Sequence, residues 1–266
     1  MGYLKFTSIS FFLVLILSAC QNKATNSTST KQEAAADTTI PPQQSQAEKA
    51  LPAASAPMTN PTDSMIAGQV LVPFAYRIWD DNNVSKVINN GWLELHRKNG
   101  KYNVAPAKYT ITYEKEEPCS GLPTETINPQ NDVLVFFNIS AIQNGSVDSI
   151  AIPNKIIPPN KPAEFTYKND RYELRATGIE FYRDEDQKPN ARYTLKLFVN
   201  GQYQRTLIDQ TAYHDTATAL EFIGDLDRDG KLDFVISSPR DYEESRTIII
   251  LSTAAYPFVG TVQFDC

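Results

Sequence analysis

The sequence has little of what most catalytic and transition-metal sites are built from. Its 266 residues include two histidines and three cysteines, and 25 Lys and Arg stand against 31 Asp and Glu. A net charge of −6 argues against non-specific nucleic-acid binding, which needs a cationic surface. Two histidines leave little room for a histidine-rich metal centre. A hydrophobic fraction of 41% is nevertheless enough for a substantial core.

Sequence motifs of several large enzyme classes are also absent. There is no Gly-x-Ser-x-Gly, no His-Glu-x-x-His and no glycine-rich phosphate loop, so the usual hydrolase and nucleotide signatures are missing. His214 and Asp215 are adjacent and would point to opposite faces of a strand. His96 lies in an alternating strand and is interpreted as a surface or packing residue. We therefore assign no catalytic residue, and the sequence favours a non-enzymatic protein.

One long apolar run, Phe6–Leu17, lies near the N-terminus. It is short for a membrane span but suits the hydrophobic region of a signal peptide. The run ends in Leu17-Ser18-Ala19-Cys20, which resembles the cleavage site of bacterial lipoproteins. The resemblance implies that residues 1–19 are a signal peptide and that Cys20 carries the lipid. An ordinary signal peptide with a chance cysteine is the alternative.

The same resemblance implies a location and a first partner. The mature chain would be held in the membrane by acyl chains, with everything after Cys20 outside the cytoplasm. Gln21, where Asp would indicate retention in the inner membrane, favours the outer membrane. The expected location is therefore the cell envelope, with the membrane bound through the N-terminal lipid.

Residues 20–65 have a composition of their own. Between Gln21 and Met65 there is no aromatic residue, and Ser, Thr, Ala, Gln, Asn and Pro dominate. Such a segment buries too little apolar surface to offset its conformational entropy. It is predicted to be a disordered tether between the lipid and a folded domain.

Residues 66–266 are predicted to form a mainly β domain of antiparallel, sandwich-like sheets with little helix. Aromatic and β-branched runs alternate with turn signals throughout this region. The predicted strands are Val70–Ile78, Trp92–Arg97, Lys108–Glu114, Val133–Ile139, Glu164–Tyr167, Tyr172–Ala176, Arg192–Val199, Gln204–Leu207, Ala219–Ile223, Asp233–Ser237, Thr247–Leu251 and Phe258–Val262.

Three local features complete this expectation. Lys168-Asn169-Asp170 and Asn200-Gly201 are predicted hairpin turns, the second of type I′. A short helix is expected at Asn82–Asn89, capped by Asp80, Asp81 or Asn82 and ended by Gly91. A proline-rich connection near residues 150–163 could divide the β region in two.

The most specific feature is an acidic loop between two apolar strands. Asp225, Asp227, Asp229 and Asp233 occupy positions 1, 3, 5 and 9, and Gly230 occupies position 6. Alternate carboxylates on a tight loop can converge on one point, and Ca²⁺ prefers six to eight oxygen ligands. Without a cation these carboxylates would repel one another. A solvated acidic turn without an ion is the alternative.

The flanks of this loop identify its type. An EF-hand needs helices on both sides and Glu at position 12, where this chain has Ile236. Residues 223–236 instead resemble the FG-GAP/VCBS repeat, the calcium-binding repeat of integrin-type propellers. The resemblance implies Ca²⁺ as cofactor. The implied ligands are the side chains of Asp225, Asp227, Asp229 and Asp233 and the backbone carbonyl of Lys231. A propeller needs several repeats and this chain has one, so the propeller fold is not implied.

The remaining candidates are weaker. Outside the cytoplasm, Cys119 and Cys266 could form one disulfide; two free thiols are the alternative, and a nucleophilic Cys119 would need a base that the sequence does not indicate. The acidic run Tyr182–Asp186 is interpreted as a solvated loop, with a second metal site as the alternative.

The functional expectation is a membrane-anchored extracytoplasmic lipoprotein with a calcium-stabilised β domain and a binding or envelope-structural role, its ligand a protein or a glycan. Two alternatives remain. One is a hydrolase acting on glycans or peptidoglycan through an unidentified carboxylate pair. The other is a calcium-dependent recognition module, in which the ion contacts the ligand through an open coordination position.

Overall fold

The computed structural model describes residues 66–78, 83–118, 120–152, 154–178, 192–211 and 216–264. These residues form eighteen strands and one short helix. The strands are β1 (Ile66–Ala67), β2 (Val70–Leu71), β3 (Ala75–Arg77), β4 (Leu93–Lys98), β5 (Lys101–Pro106), β6 (Tyr109–Glu114), β7 (Thr124–Pro129), β8 (Asp132–Phe137), β9 (Gly145–Ser146), β10 (Asp148–Ser149), β11 (Ala163–Tyr167), β12 (Asp170–Gly178), β13 (Tyr193–Val199), β14 (Gln202–Gln210), β15 (Ala219–Asp225), β16 (Asp233–Ser237), β17 (Glu244–Ile250) and β18 (Phe258–Gln263). The helix α1 is Val84–Val87. The predicted fold class, mainly β with antiparallel sheets, is confirmed.

The strands form four sheets, and each sheet is named here by how many strands it contains. The six-stranded sheet has the order β1-β18-β17-β16-β15-β10, and the five-stranded sheet β2-β8-β4-β5-β9. The four-stranded sheet is β11-β12-β13-β14, and the three-stranded sheet is β3-β7-β6. Among these strands only β1 and β18 pair in parallel.

Three apolar cores lie between successive sheets. In β16, Phe234 and Ile236 pack toward the four-stranded sheet, whereas Val235 packs toward the five-stranded sheet. This follows from the two-residue period of a strand, which sends successive side chains to opposite faces. A third core, around Trp92 and Phe136, joins the five-stranded sheet to the three-stranded sheet and α1. The six- and five-stranded sheets are therefore covered on both faces.

Both predicted hairpin turns are present. Asn200 and Gly201 connect β13 to β14 with φ of +52° and +79°, as a type I′ turn requires. Lys168, at φ +52°, and Asn169 connect β11 to β12. The proline-rich connection contributes Ile157 to the core beside the four-stranded sheet. A division of the β region near residues 150–163 stays a prediction.

The helix is shorter than the sequence suggested. It begins after Asn83, whose side chain makes no capping bond, and it ends at Val87 rather than at Gly91. The proposed caps Asp80, Asp81 and Asn82 lie outside the described residues. Within the part of the chain that the structure describes, no helix has the length and hydropathy that crossing a membrane requires.

Candidate metal centre

The acidic loop connects β15 to β16, which are neighbouring strands in the interior of the six-stranded sheet. Its backbone turns at Arg228 and Gly230, where φ is +63° and +89°. At Gly230 this positive φ has no steric cost, because glycine has no Cβ atom. Asp227 Oδ1 accepts a hydrogen bond from the Asp229 N–H at 3.2 Å, and Asp229 Oδ1 accepts one from the Lys231 N–H at 2.8 Å. Short-range bonds of this kind fold the loop locally.

Three of the predicted ligands converge. One carboxylate oxygen from each of Asp225, Asp227 and Asp229 lies within 4.8 Å of the other two. Asp225 is 7% exposed, and its Oδ1 atom has no hydrogen-bond partner among the described residues. A buried, unpaired carboxylate oxygen is costly unless a cation compensates it. The three aspartates could therefore hold a metal ion.

Asp233 has a different environment from these three residues. It is fully buried, and its carboxylate accepts backbone N–H groups from Leu226 at 2.7 Å, Asp227 at 3.3 Å and Ser252 at 2.7 Å. Burial, with a contribution from the charge of Asp227, raises the pKa of Asp233 to about 7 although these hydrogen bonds oppose the shift. Asp233 thus joins the start of the loop to the turn after β17.

The ligand roles of Asp233 and Lys231 stay predictions. Asp233 lies outside the group of three converging carboxylates. Lys231 is exposed on the loop. Its backbone N–H donates a hydrogen bond to Asp229.

Two hydroxyls that the sequence did not single out also contact the loop. They belong to the turn after β17: Ser252 Oγ donates to Asp229 Oδ2 at 2.6 Å, and Thr253 Oγ1 donates to Asp227 Oδ2. Arg205 of β14 holds this turn by donating to the carbonyls of Leu251 and Ala254 at 3.0 and 3.1 Å. The loop carboxylates are thereby oriented by a segment more than twenty residues away.

The loop also contacts other sheets. Tyr167, at the end of β11, donates its hydroxyl to Asp148 at 2.9 Å and lies 3.4 Å from Asp225 Oδ2. Burial and the Asp148 carboxylate raise the pKa of the Tyr167 phenol, which therefore keeps its proton at neutral pH. Arg228 donates to the carbonyl of Asn144 at 2.6 Å, just before β9 of the five-stranded sheet.

Several other predicted site residues lie outside the described residues. They are Cys20, Cys119, Cys266, His214, Asp215 and the run Tyr182–Asp186. His96 is described, and it is buried in β4 with Nδ1 3.1 Å from Glu94 Oε1. It is a packing residue rather than a surface one.

A surface depression on the four-stranded sheet holds two further carboxylates, Glu164 and Glu173. Each is paired with an arginine: Arg171 lies 2.6 Å from Glu164, and Arg175 donates to Glu173 at 2.6 and 2.8 Å. The hydrogen bond from Arg175 lowers the pKa of Glu173, whereas a general acid needs a raised one. This pair does not resemble an acid–base couple.

Comparisons with models of protein families, with curated proteins and with solved structures give no match for this chain.

Proposed function

We propose that the acidic loop is a calcium site that stabilises the β domain of a lipid-anchored extracytoplasmic protein with a binding or envelope-structural role. One observation carries the metal part of this proposal. Three carboxylate oxygens lie within 4.8 Å of one another, and the most buried of the three aspartates has an oxygen that no described donor reaches. A divalent cation among them would attract all three carboxylates at once.

The ligand chemistry favours Ca²⁺ over softer metals. The group consists of carboxylates alone, with the Lys231 carbonyl as the expected backbone ligand. Hard oxygen ligands suit Ca²⁺, whereas zinc and copper sites use imidazole or thiolate. In this proposal Asp225, Asp227 and Asp229 bind the ion directly. Asp233 sets the shape of the loop through its backbone hydrogen bonds, and it would offer the ion a carboxylate lone pair that those bonds do not use.

Thermal unfolding of the purified full-length chain tests the metal site. Calcium at 100 times its dissociation constant should stabilise the folded state by about 2.7 kcal/mol, a rise in Tm of about 5–10 °C for a domain of this size. The rise should vanish in EGTA and in the Asp227→Ala/Asp229→Ala variant. It should persist in Asp132→Ala, which removes an exposed carboxylate from β8. An equal Tm with calcium and EGTA would overturn the site.

The lipid anchor rests on the sequence Leu17-Ser18-Ala19-Cys20. In a bacterial host, the full chain should incorporate labelled palmitate and sediment with membranes. Cys20→Ser should lose both properties, and mass spectrometry should place the mature N-terminus at Cys20. An unlabelled chain in the soluble fraction would contradict the anchor and leave the calcium site unaffected.

Calcium-dependent recognition is a second candidate function, because part of the carboxylate group is exposed. Asp229 is exposed and Asp227 is partly exposed, whereas Asp225 is buried. An ion held there would keep a coordination position facing solvent for a ligand hydroxyl or carboxylate. A glycan array probed with the full chain in calcium and in EGTA tests this candidate, and binding that survives EGTA would contradict it.

A further inference from the structure

Lys168 brings a positive charge from another sheet to the acidic loop. It lies in the turn between β11 and β12, and its ammonium is 3.5 Å from Asp225 Oδ2 and 3.3 Å from the Gly230 carbonyl oxygen. Its side chain is half exposed, whereas that of Asp225 is buried. The ammonium therefore reaches the least accessible carboxylate of the group from the solvent side.

Two further contacts define where this ammonium lies. It is 4.9 Å from the centroid of the Tyr167 ring, within the range of a cation–π interaction. A Cβ atom placed on Gly230 would lie 3.2 Å from the Lys168 ammonium nitrogen. The turn, the ring and the glycine thus define the position of the Lys168 ammonium beside the loop.

We propose that Lys168 is a tethered competitor for the metal ion and sets the calcium affinity of the loop. This inference rests on the proposed function. The ammonium and a bound cation would share the Asp225 carboxylate, and two positive charges a few ångströms apart repel each other. When calcium is scarce, Lys168 compensates part of the loop's negative charge. When calcium is abundant, the ion binds against that repulsion.

The repulsion gives the inference a direction that a merely structural lysine would not show. Removing the charge of Lys168 should tighten calcium binding. For a divalent ion about 5 Å from the ammonium in a well-screened site, the Coulomb energy corresponds to about a tenfold change in affinity. In chelator the same change should lower Tm, because the loop loses its compensating charge.

Isothermal titration of CaCl₂ into the full-length chain tests this prediction with four proteins: the unchanged chain, Lys168→Met, Lys168→Arg and Lys115→Met. Lys168→Met keeps the length of the side chain and removes the charge, so its Kd should fall about tenfold. Lys168→Arg keeps the charge and should stay within about threefold of the unchanged chain. Lys115→Met removes an exposed charge that follows β6 of the three-stranded sheet, outside the acidic loop, and should change Kd less than about threefold.

The outcomes separate the two proposals. If the unchanged chain binds calcium and Lys168→Met binds it equally or less tightly, Lys168 is not a competitor and the calcium site stands. The competitor role also fails if Lys115→Met tightens binding as much as Lys168→Met does. If no variant binds calcium, both proposals fail. If Lys168→Met does not fold, Lys168→Asn provides the same loss of charge in a residue that tolerates the positive φ of this turn.

Discussion

Carboxylates are buried in two distant parts of this molecule, in opposite electrostatic settings. Glu125 of β7 lies beside the N-terminus of α1, and Asp225 and Asp233 frame the acidic loop. All three residues have less than a tenth of their surface exposed. The two regions differ in the groups that surround the buried charge.

Glu125 is surrounded by donors. The Ser85 N–H and hydroxyl donate to it at 2.9 and 2.8 Å, and the Asn83 amide donates at 3.3 Å. Burial by itself would raise the pKa of Glu125, but these hydrogen bonds and the charge of Lys86 together lower it. The carboxylate caps the first turn of α1, where the backbone N–H groups lack partners.

The carboxylates of the acidic loop also have donors, but they lie close to one another. Burial raises the pKa of Asp233 to about 7, and one oxygen of Asp225 has no hydrogen-bond partner among the described residues. The contrast with Glu125 teaches that burial alone does not define a metal site. Glu125 is a structural group whose oxygens have donors, whereas the clustered aspartates of the loop could hold a metal ion.

The largest effect should come from Asp233→Ala. This change removes the acceptor of three backbone N–H groups, so the free energy of unfolding should fall by about 3 kcal/mol. Urea denaturation of the full-length chain in calcium measures it. The control is Asp132→Ala, whose ion pair with Arg97 is exposed and contributes less than about 1 kcal/mol. Equal losses in the two variants would contradict the role given to Asp233.

Asp225→Asn separates the metal from the fold. In saturating calcium the variant should lose most of the ion's contribution, about 2.7 kcal/mol at 100 times the dissociation constant. In EGTA its stability should change by less than about 1 kcal/mol, because the amide keeps an acceptor for the Gly230 N–H and removes a repulsive charge. Thermal unfolding in both buffers checks the difference. A loss of the same size in EGTA would mean that Asp225 is only structural.

Glu125→Gln should affect stability through pH rather than through calcium. Because its folded-state pKa is depressed, Glu125 stabilises the protein above its unfolded-state value of 4.5, and this contribution is lost as the pH falls through the folded-state pKa. At pH 7 the variant should lose about 1.5 kcal/mol. The gap between variant and unchanged chain should close in acid and should be equal in calcium and EGTA. A gap that persists in acid would contradict the assignment.

Gly201→Ala should give the smallest effect and the cleanest reference. A Cβ atom on Gly201 would meet no atom within 4 Å, so the cost is that of the positive φ alone, about 1 kcal/mol. This turn contains no carboxylate, and its destabilisation should be the same with calcium, with EGTA and at pH 5 or 7. Urea denaturation in each buffer checks this prediction. A calcium-dependent loss of stability would show that the β13–β14 turn is coupled to the acidic loop.

Much of the fold could be predicted because its strands carry their own signal. Aromatic and β-branched runs between turn signals identified most of the longer strands, and Asn-Gly identified a type I′ turn. The prediction of one strand over Val70–Ile78 was wrong: Pro73 cannot donate to a ladder, and the chain divides there into β2 and β3 in different sheets. The strands β5 and β7 were missed because both are rich in polar residues and end in proline.

The metal centre could be predicted only in part, for a related reason. Asp225, Asp227 and Asp229 are close in sequence, so their spacing was enough to predict that they converge. Ser252 and Lys168 have no local signal. The pairing of β17 with β16 brings Ser252 to the loop, and the packing of the four-stranded sheet brings Lys168. Residues within the loop were therefore easier to find than residues that strand pairing and packing bring to it.

The parallel pairing of β1 with β18 has a consequence for folding kinetics. Ile66 and Ala67 pair with Phe258 and Val259, so the first described strand completes its hydrogen bonds on the last one. Contacts between distant parts of a chain form slowly, because the intervening segment must be ordered before they contribute. During synthesis this edge of the six-stranded sheet cannot close until β18 has emerged. The pairing of β1 with β18 should therefore be among the last parts of this sheet to form.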